Sequence, residues 1–339
     1  MPRWPVRCHH TACAVTSVGL LLLLGSGCAT VPDRAAELSQ TPQSYLRKSE
    51  RADGGVALET GLCALAPERG RGPIVWLVGA AHLGTTNYYG ELQRFLDAQS
   101  LVLFEGVGAT NRQFQLRQDH GYSLQESLAK ALGLKFQLDA IDYSRPNFRN
   151  SDLSLPQLEG LFAGATNEGT ASTPNVGRPE FDQLVGLMQG TGLLGGIARF
   201  GVGFIAASPK LQATVKLAMI EVTSQAEGDL LQMAGLPDGF QRLLRVLIDE
   251  RNKVVVDDLL AALRQRPRPR SIAVLYGAGH MNDLDQRLRR ALHYRRTETR
   301  WLPAFTVNPR QAGLTDQELE MTRRLIHDQL DALRAPAEQ

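Results

Sequence analysis

The sequence predicts an α/β fold, a mixed and largely parallel sheet flanked by helices, and three observations predict it. Ile74 to His82, IVWLVGAAH, is an apolar run rich in β-branched and aromatic residues that stops on small residues and then presents a histidine. Such a run reads as a buried strand. The same device returns as Ile272 to His280, IAVLYGAGH. After the first copy come a helical pattern, YYGELQRFLDA, and a second apolar run, LVLFEGV. Strand, helix and strand within about 35 residues form a βαβ unit, which implies a parallel pair with a right-handed crossover.

The chain has 339 residues, 43% of them hydrophobic, enough for a globular core in one large domain or two small ones. Its start reads as a targeting segment, residues 1–27: Arg3 and Arg7 precede an apolar core, Ala14 to Leu24, and then Gly25-Ser26-Gly27-Cys28. The apolar core is short for a spanning helix. A cysteine directly after small residues resembles a bacterial lipoprotein processing site, so Cys28 is the expected lipidated N-terminus, although Gly25 stands where leucine is usual. Ordinary cleavage with an incidental Cys28 is the other reading. Ala29 after the cysteine gives no aspartate retention signal, which points to the outer membrane, facing the periplasm.

Without Arg3 and Arg7 the remainder holds 35 basic and 35 acidic residues, a balance that offers nucleic acid no electrostatic footprint. Cys63 is then the single free thiol and no intramolecular disulfide is expected. Residues 28–55 are polar, with Pro32, Pro42 and LRKSERADGG, and suit a tether. The folded domain is expected over 56–310.

Val56 to Ala66 reads as a first strand broken by Gly61. Asn87 is placed to cap the helix carrying Tyr88, Leu92, Phe95 and Leu96. LVLFEGV ends on Glu105, and because ligands collect at the carboxyl ends of parallel strands, His82 and Glu105 are expected at one edge. Leu124 to Leu132 reads as a helix, Lys135 to Tyr143 as a strand, and Ser154 before Pro156 as a helix start. A helical insertion is expected over about 155–265. Within it, Leu184 to Met219 is apolar and glycine-rich but has no uncharged run of about 20 residues, so buried or lid-forming helices are favoured over a membrane hairpin. Met281 to Leu292 reads as a helix, placing His280 at its positive end, and Thr297 to Val307 as a last strand. Thr315 to Glu318 has the form of a capping box opening a C-terminal helix within 311–339.

Two histidines and a glutamate at strand ends match an open catalytic metal site, three protein ligands plus a water. A divalent ion held by His82, Glu105 and His280 would acidify that water and polarise a carbonyl, giving hydrolysis without a nucleophilic side chain. No HExxH or cysteine cluster names the metal; zinc, cobalt, manganese and iron suit these ligands equally. The same residues could work without metal, a histidine oriented by Glu105 acting as general base, or both motifs could be tight turns with solvated histidines. There is no Gly-x-Ser-x-Gly elbow, and Cys63 lacks a papain-like context. Arg251, in VLIDERNKVVV, could bind a carboxylate or oxyanion, or be a surface charge on an amphipathic helix. His120, His293 and His327 have no strand-end context and read as surface or helix histidines.

Taken in order, LVGAAHLGTTNYYGEL, LVLFEGV, FQLDAIDY with NSDLS, IDERN and VLYGAGHMNDL resemble the TraB/GumN family over about Leu58 to Val307. The resemblance implies an α/β fold in which the motifs of two related halves converge. It implies roles for His82, Glu105, Arg251 with Asn252, and His280, the Arg-Asn pair as oxyanion or substrate ligands. The family's animal members are described as membrane-tethered, metal-dependent proteases, and wider relatives include esterase-like hydrolases and a haem-binding lipoprotein group. The expected activity is therefore metal-dependent hydrolysis of an amide or ester on a peptide or small molecule. The competing expectation is a non-catalytic lipoprotein that sequesters a peptide, haem or metal.

Overall fold

The computed structural model describes residues 44–70, 72–106, 124–154, 156–158, 160–161, 201–225 and 246–334, all within one compact unit. The targeting segment, Cys28, His120 and the apolar stretch 184–200 lie outside the described residues.

Nine strands are described: β1 (Leu46–Glu50), β2 (Val56–Pro67), β3 (Ile74–Ala80), β4 (Leu83–Gly84), β5 (Leu101–Phe104), β6 (Lys135–Phe136), β7 (Phe148–Asn150), β8 (Ser271–Gly277) and β9 (Tyr294–Val307). The main helices are α1 (Thr86–Asp97), α2 (Leu124–Ala131), α3 (Gln137–Ala140), α4 (Pro209–Gln225), α5 (Arg251–Arg264), α6 (Met281–Leu292) and α7 (Asp316–Arg334). Seven strands form one mixed sheet in the order β1-β2-β3-β8-β5-β7, with β9 on the other side of β2. β3, β8, β5 and β7 are parallel; β1, β2 and β9 meet their neighbours antiparallel.

The parallel strands are covered on both faces, which is why they read as continuous apolar runs rather than alternating ones. Trp76, Val78, Ala273 and Leu275 point into one core with Leu92 and Leu96 of α1 and Leu217 of α4. Their neighbours Val75, Leu77, Ile272 and Val274 point into a second core with Val255 and Leu259 of α5 and Leu284 and Leu288 of α6. The period-2 alternation of each strand thus divides its side chains between two helical layers.

The strand, helix and strand around α1 are present, but β3 and β5 are not neighbours. β8 lies between them, paired in parallel with both, Ala80 facing Gly277 and Phe104 facing Leu275. The second histidine motif is therefore inserted between the first one and the glutamate.

Four local expectations are corrected. Lys135 to Tyr143 is not a strand: after two residues of β6 the Gln137 N–H bonds the His82 carbonyl, and the chain winds one helical turn closed by Ile141 N–H to Gln137 O at 3.1 Å. Nine residues of weak alternation fit either period. Gly61 does not break β2, which runs unbroken through it. The helix cap is Thr85, whose hydroxyl accepts from Tyr88 N–H, not Asn87. The polar tether ends earlier than residue 55, because Leu46–Glu50 pairs with β2 through a turn at Gly54 (φ 78°), a left-handed conformation glycine adopts without strain, and Tyr45 is buried.

The described parts of the expected insertion are helical, and α4 packs on α7 and β1, its buried Glu221 paired with Lys48 and Arg323. Among the described residues no helix is long and apolar enough to cross a membrane. Thr315 and Glu318 exchange the reciprocal bonds of a capping box before α7.

Candidate functional site

The carboxyl ends of β3, β8 and β5 lie side by side, and each delivers one chemical group: His82 two residues beyond β3, His280 three beyond β8, Glu105 one beyond β5. Parallel strands in register, each stopping on small residues or directly at the functional side chain, place all three at one sheet edge.

Glu105 is the hub. Its Oε1 accepts from Arg251 Nη2 at 2.7 Å, and its Oε2 accepts from the Gly277 backbone N–H at 2.7 Å. His280 Nε2 stands 3.7 Å from Oε1. Gly277 leaves the site open: a Cβ there would lie 3.4 Å from both Glu105 Oε2 and His82 Nε2, in the space on which the two groups converge. Burial alone would push the Glu105 carboxyl up, but Arg251, the two histidines and the Gly277 N–H outweigh it and hold it well below the usual carboxylate range.

Each imidazole is held at Nδ1 by a side-chain amide. Gln137, at the start of α3, gives its amide N–H to Tyr143 Oη and turns its Oε1 to His82 Nδ1 at 3.2 Å. Asn252, at the start of α5, gives its amide N–H to Asp283 Oδ2 at 2.8 Å and to the His280 carbonyl, and turns its Oδ1 to His280 Nδ1 at 2.8 Å. With the Asn252 oxygen facing it, His280 Nδ1 carries the hydrogen and Nε2 keeps its lone pair, whereas the Gln137 amide accommodates either tautomer of His82. His280 is 7% exposed, and burial first, with Arg251, pulls its pKa down although Glu105 pulls it up. His82 is exposed.

Arg251 and Asn252 are buried, at 6% and 0% exposure, not surface charges. Arg251 Nε and Nη2 grip Asp152 at 2.9 and 2.7 Å, Nη2 also holds Glu105, and Nη1 reaches the Leu247 carbonyl. Their contacts give the pair a positioning role: Arg251 fixes Glu105, Asn252 fixes His280.

Sequence reasoning gave no role to Asp152, Gln137, Tyr143 or Asp283. Asp152 also accepts from the Gly106 and Leu153 N–H groups at 2.8 Å each, tying the chain just after Glu105 to the loop after β7. Asp152 and Gln137 lie in stretches that carried the family resemblance, which was the one available signal. His293 and His327 lie apart from the site, His293 ending α6 and His327 paired with Asp331 on exposed α7.

Glu105, Asp152 and Arg251 together carry one excess negative charge, and the Nε2 atoms of His280 and His82 lie beside it. That donor chemistry fits a cation. The 3.7 Å between His280 Nε2 and Glu105 Oε1 is close to the separation of about 3.4 Å between two ligands of one tetrahedral ion with bonds of about 2.1 Å. Among the described residues no three His, Cys, Asp or Glu side chains are already assembled to hold a metal ion. The amide bonds at Nδ1 are the kind of outer contact that fixes ligating histidines. No protein-family model matches the chain, and no curated protein or solved structure matches it.

Proposed function

We propose that this protein is a metal-dependent hydrolase of the amide or ester class, of TraB/GumN type, tethered to the cell envelope through a lipid on Cys28. The observation that supports the reading is the excess negative charge at Glu105 beside the Nε2 atoms of His280 and His82, an arrangement open at His82 that a divalent cation would neutralise. His82, His280 and Glu105 would hold the ion, which when bound supplies an acidified water and a polarised carbonyl.

The chain's own residues do the rest. Asn252 keeps His280 Nε2 free of hydrogen, and Gln137 orients the His82 ring. Arg251 holds Glu105 in place and ionised, and Asp152 neutralises Arg251 so that the guanidinium does not repel a cation. The exposed ring of His82 marks the side on which a peptide or small ester would enter.

A second reading, sequestration of a peptide, haem or metal without turnover, draws on one observation: both Glu105 oxygens are already engaged, so the carboxylate is anchored rather than poised to move protons. Incubating the purified full-length protein with zinc or manganese and a panel of peptide and ester substrates separates the two. Multiple turnovers that vanish in His280→Ala support hydrolysis; retention of one ligand per chain with no product supports sequestration.

A further inference from the structure

The two histidines are not held alike. The Gln137 amide that meets His82 has a phenol behind it, Tyr143 Oη, and a hydroxyl both donates and accepts. The Asn252 amide that meets His280 has behind it the Asp283 carboxylate and the His280 peptide oxygen, two groups that only accept. That end of Asn252 must therefore be the NH2, its oxygen must face His280, and the hydrogen must sit on Nδ1. Asp283 is held in turn: Arg287 Nε donates to the same Oδ2 at 2.5 Å, and Arg287 Nη2 bonds Asp249. Asp249 and Asp283 sit 34 positions apart on the segment before α5 and on α6, so the Arg287 bridge ties together two segments adjoining Asn252 and His280.

We propose that Asp283, held by Arg287, is a positioning residue that fixes the tautomer of His280 by dictating which way the Asn252 amide points. No hydrogen-bond ambiguity is left along this line: carboxylate, amide and imidazole can satisfy one another in one orientation only. Reversing Asn252 would set its oxygen against the Asp283 carboxylate and the His280 peptide oxygen, acceptors with no hydrogen between them. The inference rests on the proposed cation site only for its purpose. The geometry itself needs no bound ion.

The test is carried out on the full-length, metal-free chain with 15N-labelled histidine, His280 being assigned from His280→Gln. The wild type is expected to show a protonated Nδ1 and an unprotonated Nε2 at His280, in one tautomer. Asp283→Asn keeps the shape but removes the stronger of the two obligate acceptors, leaving the His280 peptide oxygen at 3.3 Å as the remaining constraint on Asn252, so a second His280 tautomer is expected to appear in part while the circular dichroism stays that of the wild type. Zinc alone is expected to bind this variant about 10–100-fold more weakly, the usual cost of losing an outer partner of a ligating histidine. Should Asp283→Asn fail to fold, Arg287→Gln, which leaves the carboxylate but removes its anchor, is expected to give the same second tautomer to a smaller extent. An Nε2-protonated His280 in the wild type, or an unchanged single tautomer in the folded variants, would overturn the proposal. Absence of hydrolytic activity in the wild type would count against the hydrolase reading alone, because the tautomer is read without metal or substrate.

Discussion

Arg251 and Glu105 come from chain positions 146 residues apart, and their side chains meet at 2.7 Å with Arg251 almost wholly buried. The guanidinium spans two carboxylates, gripping Asp152 with two N–H groups and Glu105 with one, so the Glu105 oxygens are fixed relative to β5, β8 and α5 at once.

Breaking that bridge from the cationic side leaves two carboxylates facing each other with little water. Arg251→Met is expected to lower stability by about 3–5 kcal/mol, the cost of stranding buried charge. Arg251→Lys is expected to recover only part of it, since an ammonium lacks the planar fork that reaches both partners. Urea denaturation of the three proteins checks both; equal stability of the lysine variant and wild type would show that the fork geometry is not what matters.

The site should weaken in acid in two steps when the protein is free of metal. His280 has its pKa lowered by burial, so the unfolded chain binds more protons below its ordinary value of about 6.5. Stability from this source is full above that value and falls as pH drops toward the lowered native one. Glu105 is held low in the native state, so its contribution is full above the ordinary carboxylate value of about 4.3 and is lost only in stronger acid. Melting temperatures measured from pH 8 to pH 3 should show both declines, and His280→Gln should remove the upper one.

Gly277→Ala separates fold from function. The added methyl would make contacts of 3.4 Å, close but tolerable, so stability should change by no more than about 1 kcal/mol. The same methyl occupies the space between Glu105 Oε2 and His82 Nε2, and cation binding should fall at least tenfold. Calorimetric titration of zinc into both proteins decides it, and an unaffected affinity would remove Gly277 from the site.

Much of this was legible in the sequence because parallel strands buried on both faces leave a plain signature. IVWLVGA and SIAVLYG could hardly be anything but central strands, and the side chains ending them mark a sheet edge. The adjacency of the two histidine strands was not legible: nothing local shows that β8 inserts between β3 and β5. The helical turn at Gln137–Ala140 was not legible either, because one turn fixed by a tertiary bond from Gln137 to His82 has no periodicity of its own. The positioning contacts of Arg251 and Asn252 were not legible for a related reason: a polar pair in an apolar helix signals importance, but the partners it meets, Asp152 and Asp283, are distant in sequence.

Gln137→Leu offers a milder lesion at the other histidine. It removes the bond at His82 Nδ1 and leaves Tyr143 Oη without its amide, which should cost about 1 kcal/mol in stability and about 10–100-fold in cation affinity. A loss of affinity no larger than the loss of stability would mean that Gln137 serves the fold rather than the ring.

The central claim is that His82, Glu105 and His280 form one cation site, and metal stoichiometry tests it most directly. Full-length protein reconstituted with manganese, cobalt, iron or zinc should retain close to one ion per chain. Folded His82→Ala, His280→Ala and Glu105→Gln variants should each retain much less. A wild-type protein that holds none of these ions, or variants that hold as much as it does, would contradict the metal-dependent reading and leave the anchored Glu105 and its paired histidines to metal-free chemistry or ligand capture.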